Sequence, residues 1–250
     1  MASISRRTFL GHSAAGVAAT AASIHAIPGR TAQDKPNIIY ILCDDLGYGD
    51  LACYDHPDIQ TPNLDQLALD GIRFTDCYAA APVCSPARAG FLTGRTPNRC
   101  CIYDHLGSHR WPHSNPRFLH GNELTIAELL KDVGYSTSLV GKWHLTQGFN
   151  DGILNSNPAT TQPMPDDQGF DYYMATENNA DQDHCDVKNF IRNGVAVGQS
   201  SECSSDAIIT ECIDWLDNTR DKQKPFFLFV SFHSPHEPVA TPPDYMNMYA

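Results

Sequence analysis

The sequence predicts an α/β fold in which helices flank a largely parallel central sheet. Apolar runs of strand length alternate along the chain with amphipathic segments of helical spacing, a pattern typical of this class. Two of the runs, residues 38–43 and 226–230, are apolar without alternation, as expected of parallel strands that are covered on both faces. With 250 residues, of which 42% are hydrophobic, the chain is long enough to bury a substantial core.

The first predicted strand, residues 38–43, is rich in isoleucine, and β-branched residues favour extended backbone. A helix should follow, because Thr61 suits the cap position and Pro62 the first position of a helix. Gly71 would end this helix, and residues 72–78 are predicted to form the next strand. The buried stripe of the helix would consist of Leu64, Leu67 and Ala68.

A capping box marks the start of the second helix. Thr125 and Glu128 have the spacing in which each side chain bonds the backbone N–H of the other residue. Gly134 would end this helix, and residues 135–140 are predicted to form a strand. The predicted buried face consists of Ile126, Leu129, Leu130 and Val133.

A third helix is predicted over residues 206–219, before the Phe-rich strand 226–230. Its buried face would consist of Ile209, Cys212, Ile213 and Leu216. The segment 150–183 is rich in Pro, Asn and Asp, and we expect it to form a long surface excursion.

Residues 1–30 resemble a bacterial twin-arginine export signal. Arg6 and Arg7 precede a weakly apolar, Ala-rich stretch, and cleavage near Ala26 is plausible. A short N-terminal helix is the alternative interpretation. We therefore expect an exported protein that is periplasmic or extracellular in a bacterium. No segment approaches 18 consecutive apolar residues, so no membrane span is predicted.

The formal net charge of −12 argues against a nucleic-acid partner, since binding to a phosphate backbone relies on clustered cations. An anionic substrate would instead need a local positive site, built from a metal ion and a few placed cations. The nine cysteines suggest disulfides in an exported protein, although their pairing cannot be deduced from the sequence.

Asp44 and Asp45 follow the first strand directly, at the edge of an α/β sheet where ligands bind. Adjacent carboxylates repel each other unless a cation neutralises them. Oxygen ligands favour Ca²⁺ or Mg²⁺. The alternative is a solvated turn, because the residues that follow are rich in Gly and Asp.

Residues 84–88 read Cys-Ser-Pro-Ala-Arg, and residues 92–95 read Leu-Thr-Gly-Arg. Pro86 suits the first position of a helix, which would place Cys84 at an amino end that favours anions. Arg88, four residues further on, could face the same way as Cys84. The alternative is that Cys84 is a small buried hydrophobic residue.

Two further strand ends carry histidines. Lys142 and His144 are separated by one residue, so both should project from one face while Trp143 projects from the other. A surface loop is the alternative. After the Phe-rich strand come His233 and His236, in a turn made rigid by prolines, and we interpret His233 as a supporting residue.

Taken in order, these motifs resemble those of the type I, formylglycine-dependent sulfatases. The resemblance spans residues 36–240 and rests on four segments: Asp44-Asp45, Cys84-Ser85-Pro86-Ala87-Arg88, Gly141-Lys142-Trp143-His144 and His236-Glu237-Pro238. It implies an alkaline-phosphatase-like sandwich and the hydrolysis of sulfate esters of an arylsulfatase or N-acetylgalactosamine-6-sulfatase type. The substrate would be a sulfated small molecule or polysaccharide.

The resemblance also implies the cofactors. Cys84 would be converted to formylglycine by a formylglycine-generating enzyme or an equivalent maturase. Asp44, Asp45 and the modified Cys84 would bind Ca²⁺, with Mg²⁺ as the alternative. The hydrated aldehyde at position 84 would attack sulfur, and the enzyme-bound sulfate would then be released.

The same resemblance assigns roles to the other site residues. Arg88 and Lys142 would stabilise the aldehyde hydrate and the sulfate charge. His236 would assist the departing alcohol, and His144 would take the proton that releases sulfate.

By this resemblance, residues 36–250 are the amino-terminal part of a sulfatase catalytic domain. Such enzymes carry further metal ligands and a second lysine later in the chain, so we expect the 250-residue piece alone to bind metal weakly and to be inactive. Two alternatives stay open: a phosphate mono- or diester hydrolase of the same superfamily, and an inactive protein that binds sulfated glycans.

Overall fold

A computed structural model of the protein describes residues 35–106, 118–147, 162–181, 184–238 and 241–249. Residues Pro36–Ala250 make up one compact unit. The predicted export signal lies outside the described residues. Within these described ranges, no helix is both long enough and apolar enough to cross a membrane.

Six strands form one mixed sheet, in the spatial order β1-β6-β2-β3-β4-β5. The first four strands in this order run parallel, and β4 and β5 form an antiparallel hairpin beside β3. The strands are β1 Ile38–Asp44, β2 Ser136–Lys142, β3 Tyr172–Thr176, β4 Ile191–Arg192, β5 Val195–Ala196 and β6 Phe226–Pro235. This arrangement confirms the predicted, largely parallel α/β sheet.

Of the five described helices, four lie between these strands in the chain and the fifth follows β6. They are α1 Pro62–Asp70, α2 Cys84–Thr93, α3 Ile126–Asp132, α4 Ser204–Asp214 and α5 Pro243–Met246. A π-helical turn, Trp215–Thr219, continues α4. Short 3₁₀ turns cover Ala52–Tyr54, Pro97–Cys100, Asp166–Gln168 and Asn247–Tyr249.

The capping box of α3 is confirmed in detail. The Thr125 hydroxyl accepts a hydrogen bond from Glu128 N, and Glu128 Oε2 accepts one from Thr125 N at 2.8 Å. These two bonds satisfy N–H groups that the first turn of a helix otherwise leaves without partners. Gly134 follows with a φ of +92°, a conformation that L side chains rarely adopt, so the chain can turn directly into β2.

The core lies on both faces of β2 and β6. Leu139, Phe227 and Phe229 face one hydrophobic cluster, while Val140 and Leu228 face a second cluster that is closed by α4. A disulfide between Cys185 and Cys203 joins the segment before β4 to the start of α4, so the general expectation of disulfides is confirmed for one pair.

Three predictions about the first third of the chain were wrong in whole or in part. Residues 72–78 form no strand: they pair with none of the described strands, and Ile72 and Phe74 are exposed. Thr61, Pro62 and Gly71 take the predicted cap, first and end positions of α1, but the Thr61 side chain makes no capping bond to the helix backbone; its hydroxyl donates to Asp65 Oδ1 at 2.9 Å. The predicted apolar stripe of α1 is not buried, and Leu67 is 64% exposed.

Burial was also predicted wrongly for β1 and for one surface segment. β1 is an edge strand and buries only one face, so Ile39 and Ile41 are each 54% exposed. The segment 150–183 is not wholly a surface excursion, because β3 within it is buried beside β2. Its short apolar run was hidden by the polar residues around it.

Two helices present faces that differ from the predicted ones. In α3, Ile126 and Leu130 pack on the first cluster, whereas Leu129 and Val133 are exposed. In α4 and the turn after it, Cys212 and Leu216 pack on the second cluster as predicted, whereas Ile209 and Ile213 are exposed. The buried residues of α4 are Ser204, Ala207, Ile208, Glu211 and Cys212.

A candidate catalytic and metal site at the carboxyl edge of the sheet

Three neighbouring parallel strands bring the predicted site residues to one edge of the sheet. β6 lies between β1 and β2, with Asp44 opposite Pro235 and Gly141 opposite Ser231. The carboxyl ends of the three strands therefore meet, which is where open α/β sheets bind ligands.

Two buried cations converge on the Asp44 carboxylate. Lys142 Nζ lies 2.5 Å and Arg88 Nη2 lies 3.7 Å from Asp44 Oδ2, and all three side chains are almost fully buried. One carboxylate facing two cations leaves a net positive charge. In a low-dielectric setting, this charge attracts an anion more strongly than it would in water.

The Arg88 guanidinium is held from several sides. Its Nη1 donates to the Lys142 carbonyl at 2.7 Å and to Ser231 Oγ at 2.6 Å, and Ser231 Oγ donates to the same carbonyl. Burial lowers the pKa of Arg88 and the Asp44 charge opposes that shift, but guanidinium groups stay protonated in proteins. Arg88 is therefore a fixed positive charge.

Cys84 is the first residue of α2, so its predicted place at a helix amino end is confirmed. Pro86 occupies the third helical position rather than the predicted first. Cys84 Sγ lies 3.6 Å from Lys142 Nζ. Burial raises the pKa of the Cys84 thiol, and the Lys142 charge only partly offsets the rise, so an unmodified thiol stays protonated at neutral pH.

The donor atoms at this edge suit a divalent cation. Ligand atoms of Asp44, Cys84 and His236 all lie within 4.8 Å of one another. Asp45 is beside them, with Oδ2 at 3.6 Å from His236 Nε2, and its side chain is 58% exposed. Two carboxylates next to position 84 fit a hard cation, provided that position 84 offers oxygen instead of sulfur.

The structure thus brings two of the predicted metal ligands, Asp44 and Cys84, close together with His236 beside them, whereas Asp45 lies outside this cluster and contacts His236. Asp45 adopts a φ of +63°, which turns the chain sharply after β1 and separates its carboxylate from that of Asp44.

His144 is not placed by simple strand alternation. β2 ends at Lys142, and His144 itself has a φ of +53°, so the prediction that Lys142 and His144 share one strand face does not describe the local backbone. The imidazole is buried and hydrogen-bonds the backbone of Leu106. Burial, together with the Lys142 and Arg88 charges, holds the pKa of His144 well below its usual value, so the ring is neutral.

Asn179 is a site residue that the sequence analysis missed. Its Oδ1 accepts a hydrogen bond from Lys142 Nζ at 2.8 Å, and its Nδ2 lies 3.2 Å from His236 Nδ1. It follows the carboxyl end of β3, as the other site residues follow β1, β2 and β6. The short apolar run 172–175 was the only signal that could have pointed to it.

Comparison with known proteins agrees with this geometry. The family model described as Sulfatase matches residues 36–250. Human arylsulfatase A is 42% identical over 157 residues, which are 63% of this chain and 28% of that protein. The N-acetylgalactosamine-6-O-sulfatase of Bacteroides thetaiotaomicron is 38% identical over 178 residues, which are 68% of this chain and 31% of that protein.

A solved structure shows the same fold. It is BT4656 in complex with its substrate D-glucosamine-2-N,6-O-disulfate, at a TM-score of 0.67 and 30% identity. The match covers 86% of this chain and 37% of the BT4656 chain. The matches span less than a third of the two curated relatives. With its alkaline-phosphatase-like sheet and a family match over most of its length, the chain belongs to the sulfatase family.

Proposed function

We propose that the protein hydrolyses sulfate esters of a sulfated carbohydrate, using a formylglycine made from Cys84 and a divalent cation, Ca²⁺ or alternatively Mg²⁺. The observation that carries the proposal is the position of Cys84: the first residue of a helix, 3.6 Å from a buried lysine that also contacts a buried carboxylate. A cysteine in these surroundings is a weak nucleophile because its thiol is protonated. Conversion of Cys84 to formylglycine by a maturase would replace this weak nucleophile with a hydrated aldehyde.

The carbohydrate substrate is inferred from relatives that act on sulfated sugars. The resemblance of residues 1–30 to an export signal fits a polymeric substrate outside the cytoplasm. We therefore infer a periplasmic or extracellular enzyme that meets a formylglycine-generating enzyme or an equivalent maturase before or during export.

Asp44, Asp45 and position 84 would hold the cation, which supplies positive charge at the sulfate oxygens and at the attacking group. Lys142 and Arg88 add two fixed charges on the same side. Since Arg88 is already bonded to backbone and side-chain oxygens, it needs no rearrangement when a sulfate arrives.

The two site histidines suit opposite proton transfers. His236 is 24% exposed and lies at the open side of the site, where a departing alcohol oxygen can take a proton from its ring. His144 is buried and neutral, so its free ring nitrogen can accept a proton from the group at position 84. Neither residue can replace the other, since only one of them reaches solvent.

The test compares aryl sulfate with aryl phosphate hydrolysis, using protein expressed from its complete gene together with a formylglycine-generating enzyme. We expect sulfate to be the preferred ester and Cys84→Ala to abolish its turnover. Cys100→Ala is the matched control, because Cys100 is buried in the core away from the site and its loss should leave turnover intact. Faster turnover of the phosphate ester would support the phosphate hydrolase alternative. Sulfate turnover that survives in Cys84→Ala would contradict the proposed mechanism.

A further inference from the structure

His233 is fully buried on β6, three residues before His236, and has no place in the proposed chemistry. Its Nε2 lies 2.7 Å from Thr176 Oγ1, at the end of β3. Its ring packs between those of His184 and Phe190, at centroid distances of 5.7 and 5.9 Å.

The hydrogen bonds around Thr176 determine which nitrogen of His233 carries the proton. The Thr176 hydroxyl donates its single proton to the Asn178 carbonyl at 2.6 Å. Thr176 Oγ1 can therefore only accept from His233, which must be protonated at Nε2. Nδ1 is buried without a partner, so a second proton there would be an unpaired charge in the core. Burial also holds the pKa of His233 well below its usual value, which agrees with a neutral ring.

The turn that begins at Thr176 joins the ends of the strands that form the site. The Thr176 carbonyl accepts from Trp143 N at 3.0 Å, and the Glu177 carbonyl accepts from His144 N at 2.8 Å. Asn179 completes the turn, contacting Lys142 with its Oδ1 and donating from Nδ2 to the Glu237 carbonyl at 3.3 Å.

We propose that His233 is a positioning residue for the sulfatase site: its Nε2–H, through the Thr176 hydroxyl, fixes the 176–179 turn that holds Asn179 against Lys142 and beside His236. The inference rests on the proposed function for its kinetic consequences. His233 itself touches neither substrate nor cation. It determines where the Lys142 ammonium points relative to position 84.

The test uses paired substitutions at both ends of the hydrogen bond. Thr176→Val and His233→Phe each replace one hydrogen-bonding side chain with an apolar one of similar shape. Thr176→Ser and His233→Gln each keep a side chain that can form the hydrogen bond. We expect the first pair to lower kcat/KM by about 10- to 100-fold and the second pair to recover most of it. Because both substitutions break one chain of hydrogen bonds, the double variant Thr176→Val/His233→Phe should be no worse than either single variant.

Thr137→Val is the matched control. Thr137 is also a buried threonine, and its hydroxyl donates to the Gly169 carbonyl at 2.7 Å at the opposite end of β2. We expect this variant to lose thermal stability without losing kcat/KM. If Thr137→Val and Thr176→Val lose activity equally, or if the two substitutions in the double variant multiply their effects, the positioning role is overturned.

A second measurement keeps this proposal separate from the proposed function. The side-chain amide of Asn179, followed by NMR, should shift in Thr176→Val and His233→Phe but not in Thr137→Val. An unaltered protein that hydrolyses no sulfate ester would refute the proposed function and leave this readout intact. An Asn179 amide that does not respond to Thr176→Val would refute the positioning role, whatever the activity.

Discussion

Strand β6 in the middle of the sheet and strand β1 at its edge are similar in composition but differ in burial. Phe227, Leu228 and Phe229 are buried in alternation on two faces, against two different clusters. In β1, Ile39 and Ile41 are about half exposed. An apolar run therefore predicts a strand, but the number of covered faces depends on the strand's neighbours.

The site likewise has a buried side and an exposed side. Its fixed cations, Arg88 and Lys142, lie on the buried side with the neutral imidazole of His144. Asp45 and His236 lie on the open side, where solvent and substrate can reach them. The buried side is thus organised to hold charge in place, and the open side to exchange protons and ligands.

Arg88→Leu should have the largest effect on stability, since it removes one of the two cations that neutralise a buried carboxylate. We expect a loss of about 3–5 kcal/mol in the free energy of unfolding, measured by urea denaturation. Arg95→Leu is the control, because the Arg95 side chain is 40% exposed and its ion pair with Glu123 should contribute about 0–1 kcal/mol. Equal losses in the two variants would show that the buried position of Arg88 adds nothing to its contribution to stability.

Substitutions in β2, which lies inside the sheet beside β6, and in the edge strand β1 test the packing difference. Leu139→Ala, at a fully buried position, should cost about 2–5 kcal/mol. Ile41→Ala should cost about 1 kcal/mol, because a half-exposed side chain loses less apolar contact and leaves no closed cavity. Comparable unfolding free energies would show that the outer face of β1 is covered in solution.

Stability should fall as the solution is acidified. His144 and His233 are held neutral in the folded protein, whereas in the unfolded chain they take up protons below about pH 6.5. Their folded-state pKa values are depressed, so the free energy of unfolding should decrease by about 1.4 kcal/mol per pH unit per histidine below that value. His233→Gln should make this pH dependence shallower in denaturation curves from pH 7 to 5, and an unchanged slope would contradict a neutral buried His233.

Calcium binding by residues 36–250 alone should be weak. The described residues bring together three candidate ligand groups, fewer than the six to eight ligands that Ca²⁺ usually takes. We expect a Kd of about 10⁻³ M or weaker by calorimetry, reduced further in Asp45→Asn. A micromolar Kd for Ca²⁺ would show that residues 36–250 already supply enough ligands for the ion.

Much of the fold follows from local sequence signals. The three long parallel strands, the capping box at Thr125 and the place of Cys84 at a helix amino end each follow from neighbouring residues, and these predictions are confirmed, although the helix begins two residues before the predicted Pro86. β3 was missed because its apolar run is short and lies in a polar segment. The strand predicted at 72–78 was wrong because an apolar run becomes a strand only where it pairs with a neighbour, and these residues pair with no described strand.

The site was predictable to a similar degree. The order of the motifs predicted that Asp44, Cys84, Lys142 and His236 would meet, and the structure places them together. The left-handed backbone at His144 and the amide of Asn179 depend on contacts between β2, β3 and β6. Those contacts exist only after the sheet has formed, so no local pattern encodes them.

The most direct test of the account is the fraction of formylglycine at position 84, measured by mass spectrometry of the peptide that spans it, against sulfatase turnover in the same preparations. As the proportion of the maturase is varied, turnover per protein should rise in proportion to the formylglycine fraction and vanish where the thiol is intact. Full turnover in a preparation that retains an unmodified Cys84 would contradict the account.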